Sequence, residues 1–345
     1  RELDVIEKLG YASYFLIVKD VHDWADRTFS SGYRKPGDST ILRGSAANAI
    51  TFYTIGVSDL DPVEHDLYFE RFLNEDRASP PDADLDFGWD EREQALDYMV
   101  RRWGRERVAI TCTTNHFRAG AAFRETAKAY GYSEEQITAI MKARRTRNRR
   151  IDDDELRFIA AQAARVRGKP RFLGQHPGGV LVTNDPIRRH VACEYTNGPA
   201  PRLITQIDMH SGIDELGLIK FDLLGNGSLS VLRDTLGQLA AQGIADPCVD
   251  DVRKCCADPA VRAMVREGRT RGIFYIESPA QMRLNKKVQA DTFAEVTVTS
   301  SLVRPAGAKY TALYVERHRK AKLGIRDWEF AHPSLEQILR ETHDV

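Results

Sequence analysis

Two periods of apolar and polar residues run along this chain, and the points where one gives way to the other mark its elements. Between Tyr14 and Ala25, the residues Tyr14, Ile17, Val18, Val21, Trp24 and Ala25 recur at helical spacing, with Lys19, Asp20, His22, Asp23 and Asp26 opposite them. That stripe predicts a helix packed on a core. Breakers in Ser30-Ser31-Gly32 and Lys35-Pro36-Gly37-Asp38 predict a loop, and the small residues after Gly44 predict a helix beginning near Ser45. The period becomes two in Asp82-Ala83-Asp84-Leu85-Asp86-Phe87, where Ala83, Leu85 and Phe87 share one face and the aspartates the other, the pattern of a half-buried strand. Asp90 is placed to cap a helix with the stripe Leu96, Met99, Val100 and Trp103. Val108–Thr111 reads as a short strand, 116–168 as helical, and Gln175–Gly179 as a turn leading into the strand Val180–Val182. Strands are also predicted over Leu203–Ile207, Leu218–Gly225 and Gly272–Ser278, with helical sequence from Asn226 onward and in the basic stretch Tyr314–Lys322.

Composition bounds the class. With 345 residues, 29% of them charged and 42% hydrophobic, the chain can bury a sizeable core and reads as two or three globular domains. Lys plus Arg and Asp plus Glu number 50 each, so a nucleic-acid surface has to come from local segregation of charge. Apolar runs such as Tyr14-Phe15-Leu16-Ile17-Val18 are too short to span a bilayer and no leader is read before them, so the expectation is a cytoplasmic protein without a membrane partner. The five cysteines form no C-x-x-C pair, which points to free thiols.

The candidate chemistry starts at the acidic strand. Like charges side by side on one strand face repel, and alternate residues lie about 6.6 Å apart along the backbone. Carboxylates at that spacing lean together to bridge cations roughly 3.5–4 Å apart, the separation used in two-metal phosphoryl transfer. The bland alternative is a solvated strand. In Leu218-Ile219-Lys220-Phe221-Asp222-Leu223-Leu224-Gly225, Lys220 and Asp222 share the face opposite Ile219, Phe221 and Leu223, either as a structural pair or as a metal carboxylate beside a phosphate-binding cation. Arg43-Gly44-Ser45 offers backbone N–H groups, a hydroxyl and a guanidinium to a phosphate, or is an ordinary helix start. Asp59 and Asp61 stand beside Pro62 in a turn, where carboxylates bond the backbone. His176, beside two glycines, is read as holding a tight loop. Lys142, Arg144, Arg145, Arg147, Arg149 and Arg150 form the strongest cationic run, fit to grip a phosphate backbone although Asp152–Glu155 follow at once.

Together these pieces make the set a nucleotidyltransferase needs: carboxylates for two Mg²⁺ ions, with Mn²⁺ as a substitute, and cations for a triphosphate. In their order they resemble the bacterial C-family DNA polymerases, the replicative DNA polymerase III alpha subunit and its error-prone relatives. The resemblance covers nearly the whole chain and rests on Arg43-Gly44-Ser45-Ala46-Ala47, Phe69-Glu70-Arg71-Phe72-Leu73-Asn74, Pro81-Asp82-Ala83-Asp84-Leu85-Asp86-Phe87, His176-Pro177-Gly178-Gly179, Lys220-Phe221-Asp222-Leu223-Leu224-Gly225 and Ile273-Phe274-Tyr275-Ile276-Glu277-Ser278. It implies an α+β fold with a palm like the nucleotidyltransferase fold of polymerase beta, a mixed sheet with flanking helices. By that likeness 1–115 and 175–228 form the palm, 116–174 an inserted helical thumb, and 229–345 part of the fingers. The resemblance matches the catalytic, metal-binding aspartates to Asp84, Asp86 and Asp222, the nucleotide-binding residues to Arg43, Gly44, Ser45 and Lys220, and the arginine-rich run to the DNA-gripping thumb. Asp82 has a counterpart in the motif but no implied ligand role. The implied partners are primer–template DNA, deoxynucleoside triphosphates and, through regions outside this sequence, other replisome subunits.

Departures stand beside the matches. Leu42 precedes Arg43 where the family has glycine, and the sequence lacks the family's PHP domain and the remainder of its fingers with their arginine pair, so weak activity is expected of the isolated chain. A polymerase-like module that only binds DNA or a partner is the alternative. A metal-dependent phosphodiesterase is the weaker third, since no His/Asp metal cluster is read.

Overall fold

The helical stripe around Val18 is buried because a sheet needs it as an apolar cover. The computed structural model describes residues 1–29, 39–76, 80–147, 154–198, 200–244, 252–340 and 342–345, apart from the side chains of 144–147, 210–211 and 252–253. It divides into two compact units, Arg1–Gly237 and Gln238–Val345. The first begins with helices α1 (Glu2–Lys8) and α2 (Ala12–Phe29), strand β1 (Ile41–Arg43), the short helix α3 (Ile50–Thr54), β2 (Asp84–Gly88) and α4 (Arg92–Trp103). Strand β3 (Val108–His116) leads to α5 (Ala119–Ala129), α6 (Glu134–Arg147) and α7 (Asp154–Val166), and β4 (Pro170–Val182) returns to the sheet. Strands β5 (Cys193–Tyr195), β6 (Leu203–Asp208) and β7 (Lys220–Asn226) follow, then α8 (Gly227–Ala241).

The seven strands form one mixed sheet in the order β1-β2-β7-β4-β3-β6-β5. β2 pairs with β7, and β3 with β6, in parallel; the remaining neighbours are antiparallel. The expected α+β fold with a mixed sheet and flanking helices is what the chain adopts. Period-two alternation gives the sheet two apolar faces. Leu85, Phe87, Ile110, Val180, Phe221 and Leu223 face α2 and α4, while Ala109, Leu181 and Leu203 face Ile187, Val191 and Ile213 on the other side. Tyr14 of α2 stacks on Phe221 of β7 with ring centroids 4.6 Å apart, and Trp24 stacks on Tyr98 of α4 at 4.7 Å. Helices α5–α7 close over a core of their own built from Ala122, Phe123, Ala127, Ile137, Ile159 and Ala163.

The second unit is helical among its described residues, with α9 (Val252–Ala257), α10 (Pro259–Arg266), α11 (Pro279–Val288), α12 (Phe293–Leu302), α13 (Thr311–Lys322) and α14 (Pro333–Leu339). Val265, Leu284, Val288, Leu302 and Tyr314 are buried together. Ser278 caps α11, and Thr292 with Glu295 forms a capping box on α12.

Several expectations need correction. Gly272–Ser278 is not a strand but a run of turns. Gly272 and Tyr275 take φ of +81° and +70°, and the Thr270 hydroxyl donates to the Ile276 carbonyl at 2.6 Å, so the chain curls on itself where no neighbouring strand is described. Gln175–Gly179 is not a free turn but an irregular stretch of β4, whose pairing slips between Ile110↔Val180 and Cys112↔Gln175. Gly179 is required there, since a Cβ would lie 2.2 Å from the Thr111 hydroxyl. His22, expected on the polar face, is buried against the Thr40 hydroxyl at 2.7 Å, and burial lowers its pKa. Asp90 does not cap α4. Arg233 of α8 takes it at 3.0 Å, and the cap position falls to Glu91, whose Oε2 accepts the Gly88 N–H. The helix expected from Ser45 is one 3₁₀ turn, Gly44–Asn48, ended by extended backbone at Ala49 that delivers Phe52 to the core.

Tyr14 links this core to the acidic segment, because its phenol oxygen accepts the buried N–H of Ala83 at 2.6 Å. Tyr14→Phe keeps the ring stack and leaves that N–H unpaired, which is expected to cost about 1–3 kcal/mol of stability. Denaturant unfolding should show the midpoint lowered with an unchanged slope.

Candidate active site

Parallel pairing of β2 with β7 sets the geometry of the acidic face. The register puts Asp84 beside Asp222, and the Asp222 N–H donates to the Ala83 carbonyl at 3.2 Å. Ala83, Leu85, Phe221 and Leu223 point into the core, so the polar residues between them are driven to the opposite face. Asp82, just before β2, joins them. Carboxylate oxygens of Asp82, Asp84 and Asp222 lie within 4.8 Å of one another.

One cation answers this crowding from within. Lys220 is buried, and its Nζ donates to Asp222 Oδ2 at 2.8 Å and to Asp82 Oδ1 at 2.7 Å. Burial alone would lower its pKa, but the two carboxylates outweigh it and hold it above the usual lysine range. Among the described residues Asp84 has no such direct partner. Burial, together with the charges of Asp82 and Asp222, pushes its pKa up to about 6, against the smaller opposing pull of Arg43 and Lys220. Asp222 Oδ1 is buried and accepts no hydrogen bond. His176 Nδ1 lies 3.9 Å from that oxygen but is committed elsewhere, accepting the N–H groups of Gly178 at 3.1 Å and Gly179 at 2.6 Å. The neutral ring therefore carries its proton on Nε2, and burial lowers its pKa further. As expected, His176 holds a tight stretch of backbone.

Asp86 stands apart from this cluster. It is buried, its Oδ1 accepts from Arg43 Nε at 2.8 Å, and its Oδ2 accepts from Asn226 Nδ2 at 2.9 Å. Arg43 arrives there because β1 pairs antiparallel with β2, Arg43 opposite Asp84. Gly44 follows with φ of +72°, a conformation that favours glycine, and a Cβ on it would point 3.5 Å from Asp84 Oδ2. Ser45 is half-buried in the same 3₁₀ turn.

Of the expected site residues, Asp84, Asp222 and Lys220 come together on β2 and β7, Gly44 lies close to Asp84 with Ser45 next in the chain, and Arg43 reaches Asp86, which sits two residues along the strand in its own buried network. Asp82, to which the sequence assigned no ligand role, belongs to the cluster. Tyr14 and Asn226 went unnoticed, since a tyrosine in a helical stripe and an asparagine after a strand carry no distinguishing pattern. Asp61 behaves as a turn residue, accepting the N–H of Val63 at 2.8 Å and of Glu64 at 3.2 Å. Lys142 is exposed on α6; Arg149, Arg150 and the side chains of Arg144, Arg145 and Arg147 lie outside the described residues. Converging carboxylates, one buried oxygen without a donor and one carboxyl that gains protons readily fit a hard divalent cation with oxygen ligands, such as Mg²⁺ or Mn²⁺. Among the described residues, no helix is long and apolar enough to cross a membrane.

Comparison with known proteins gives the family. Residues 1–225 match the family model described as the bacterial DNA polymerase III alpha NTPase domain, and 228–345 match the bacterial DNA polymerase III alpha subunit finger domain. The chain is 34% identical over 368 residues to an error-prone DNA polymerase of Anaeromyxobacter dehalogenans, covering all of this chain and 31% of the relative. It is 34% identical over 362 residues to an error-prone DNA polymerase of Pseudomonas aeruginosa, with all of the chain and 34% of the relative covered. A DNA polymerase III subunit alpha of Aquifex aeolicus is 30% identical over 384 residues, again across the whole chain and 32% of the relative. The chain therefore spans about a third of the length of these relatives. With the two family models together matching nearly all of its residues and the acidic motifs on adjacent strands, the chain belongs to the bacterial DNA polymerase III alpha family.

Proposed function

We propose that the chain is the catalytic core of a DNA-directed DNA polymerase, in which a primer 3′-hydroxyl attacks the α-phosphorus of a deoxynucleoside triphosphate and pyrophosphate leaves. The observation that carries this reading is the alignment of Asp84 with Asp222 across β2 and β7, with Arg43 at the end of the neighbouring strand and Gly44 in the turn that follows it. In this reading 1–115 and 175–228 are the palm, 116–174 the thumb and 229–345 part of the fingers. Asp84, Asp86 and Asp222 are the metal carboxylates, and Asp82 is a further oxygen donor beside them. Two Mg²⁺ ions, when bound, activate the attacking hydroxyl and neutralise charge on the leaving pyrophosphate.

The chain's own groups supply position and charge. Lys220 lowers the repulsion between Asp82 and Asp222, which lets the two carboxylates sit close together. Arg43, the Gly44 backbone and the Ser45 hydroxyl meet the triphosphate, and the positive φ of Gly44 keeps a side chain out of that approach. Lys142 and the arginines that follow it bind the phosphates of primer–template DNA, sequence-independently and with a strong salt dependence.

Primer extension by the full-length protein tests the assignment. Asp84→Asn and Asp222→Asn are each expected to lower the extension rate on the order of a hundredfold to a thousandfold, the scale of losing one preorganised electrostatic group, with DNA binding retained. Normal extension by either variant would sink it.

Asp84 also gives the site a pH signature. A cation competes with the proton for this carboxylate, whose pKa is raised to about 6. Mn²⁺ affinity should therefore be flat above that pH and fall by about tenfold per unit below it. Calorimetric titration across the range checks this, and Asp84→Asn should remove the break.

A further inference from the structure

The last residue of β7 serves two partners with one amide. Asn226 Nδ2 donates to Asp86 Oδ2 at 2.9 Å, and its Oδ1 accepts the N–H of Ser228 at 3.0 Å and of Leu229 at 3.4 Å, in the first turn of α8. Asn226 and Asp86 are 8% and 3% exposed. A carboxylate only accepts and a helix start only donates, so the amide orientation is fixed at both ends.

The two contacts on Asp86 are unequal. Oδ2 is held by a buried, neutral group anchored on helical backbone. Oδ1 is held by Arg43, whose side chain is 39% exposed and belongs to the motif proposed to meet the triphosphate. We propose that Asn226 is a positioning residue that fixes the Asp86 carboxylate through Oδ2, leaving Oδ1 as the oxygen open to exchange between Arg43 and a divalent cation. This rests on the reading of Asp86 as a metal carboxylate. Capping alone does not select asparagine here, since serine and threonine cap helices comparably; what they lack is the carboxamide donor directed at Asp86. Through Asn226, the start of α8 and the orientation of Asp86 are mechanically one unit.

Mn²⁺ alone is the probe, added at neutral pH without DNA or nucleotide, with free ion read by electron paramagnetic resonance. Asn226→Ser, which keeps a capping oxygen, is expected to bind Mn²⁺ about tenfold to a hundredfold more weakly, the usual effect of removing an outer partner of a ligating group. Its unfolding midpoint should fall with an unchanged slope, because a buried carboxylate oxygen loses its donor, and the Mn²⁺ readout is made on the folded protein. Placed on an Asp86→Asn background, the same substitution should change Mn²⁺ affinity no further. Asn226→Thr replaces the serine variant if that one does not fold. Wild-type Mn²⁺ affinity in Asn226→Ser, with binding weakened in Asp84→Asn, overturns the positioning role and leaves the metal-site reading standing. An equal loss with and without the Asp86 carboxylate overturns it too. Absence of Mn²⁺ binding in the wild type overturns both.

Discussion

The arrangement of the candidate site depends on one pairing, the parallel contact of β2 with β7 that sets Asp84 beside Asp222. Parallel neighbours need a long crossover, and here the crossover carries α4, β3, the three helices α5–α7 and three more strands. Electrostatics does not favour the result, since it faces one carboxylate with another. What holds it is the opposite face of the same strands, where Leu85, Phe87, Phe221 and Leu223 are buried. Each such side chain contributes about 1.5–3 kcal/mol by leaving water. The core therefore holds an unfavourable charge arrangement in place, and Lys220 removes only part of the repulsion. Burial together with that remaining repulsion raises the pKa of Asp84, and one buried Asp222 oxygen is left without a donor.

What could be read from the sequence was whatever depends on periodicity. The alternation in residues 82–87 and 218–225 assigned the core and polar faces correctly, because a strand has no other way to bury Leu85 and Phe221. The stripe from Tyr14 to Ala25 likewise located α2. Periodicity says nothing of what lies across the sheet, and there the reading ran out. Asp82, Asp84 and Asp86 look equivalent along the strand, yet β7 supplies Lys220 near the first and Asn226 near the last. His22 was placed with the polar residues by its helical spacing, but it is buried with the Thr40 hydroxyl on one ring nitrogen and Asp26 3.7 Å from the other. Gly272–Ser278 has the apolar content of a strand and no described strand to pair with, so the chain satisfies itself locally through Thr270.

The missed residues share a feature: each acts through a backbone group or an amide rather than through charge. Tyr14 holds the N–H of Ala83, and Asn226 joins the Asp86 carboxylate to the N–H groups that open α8 through its amide. Such residues fix the acidic segment in place and leave no compositional trace, since any one of them reads as ordinary core or loop.

Asp84 and Asp86 show how far one strand face can be differentiated. They lie two residues apart with side chains on the same side, yet one is crowded by like charges and reachable from solvent, while the other is buried with both oxygens paired. The difference originates at the strand ends. β1 stops at Arg43, just where its guanidinium reaches Asp86, and β7 stops at Asn226, just where α8 needs a cap. Lengthening either strand would move those partners off the Asp86 carboxylate while leaving the Asp84–Asp222 pairing in register. The acidic motif alone therefore does not define the site; the points at which the two neighbouring strands end decide which carboxylate has both oxygens engaged by buried partners and which faces its like charges.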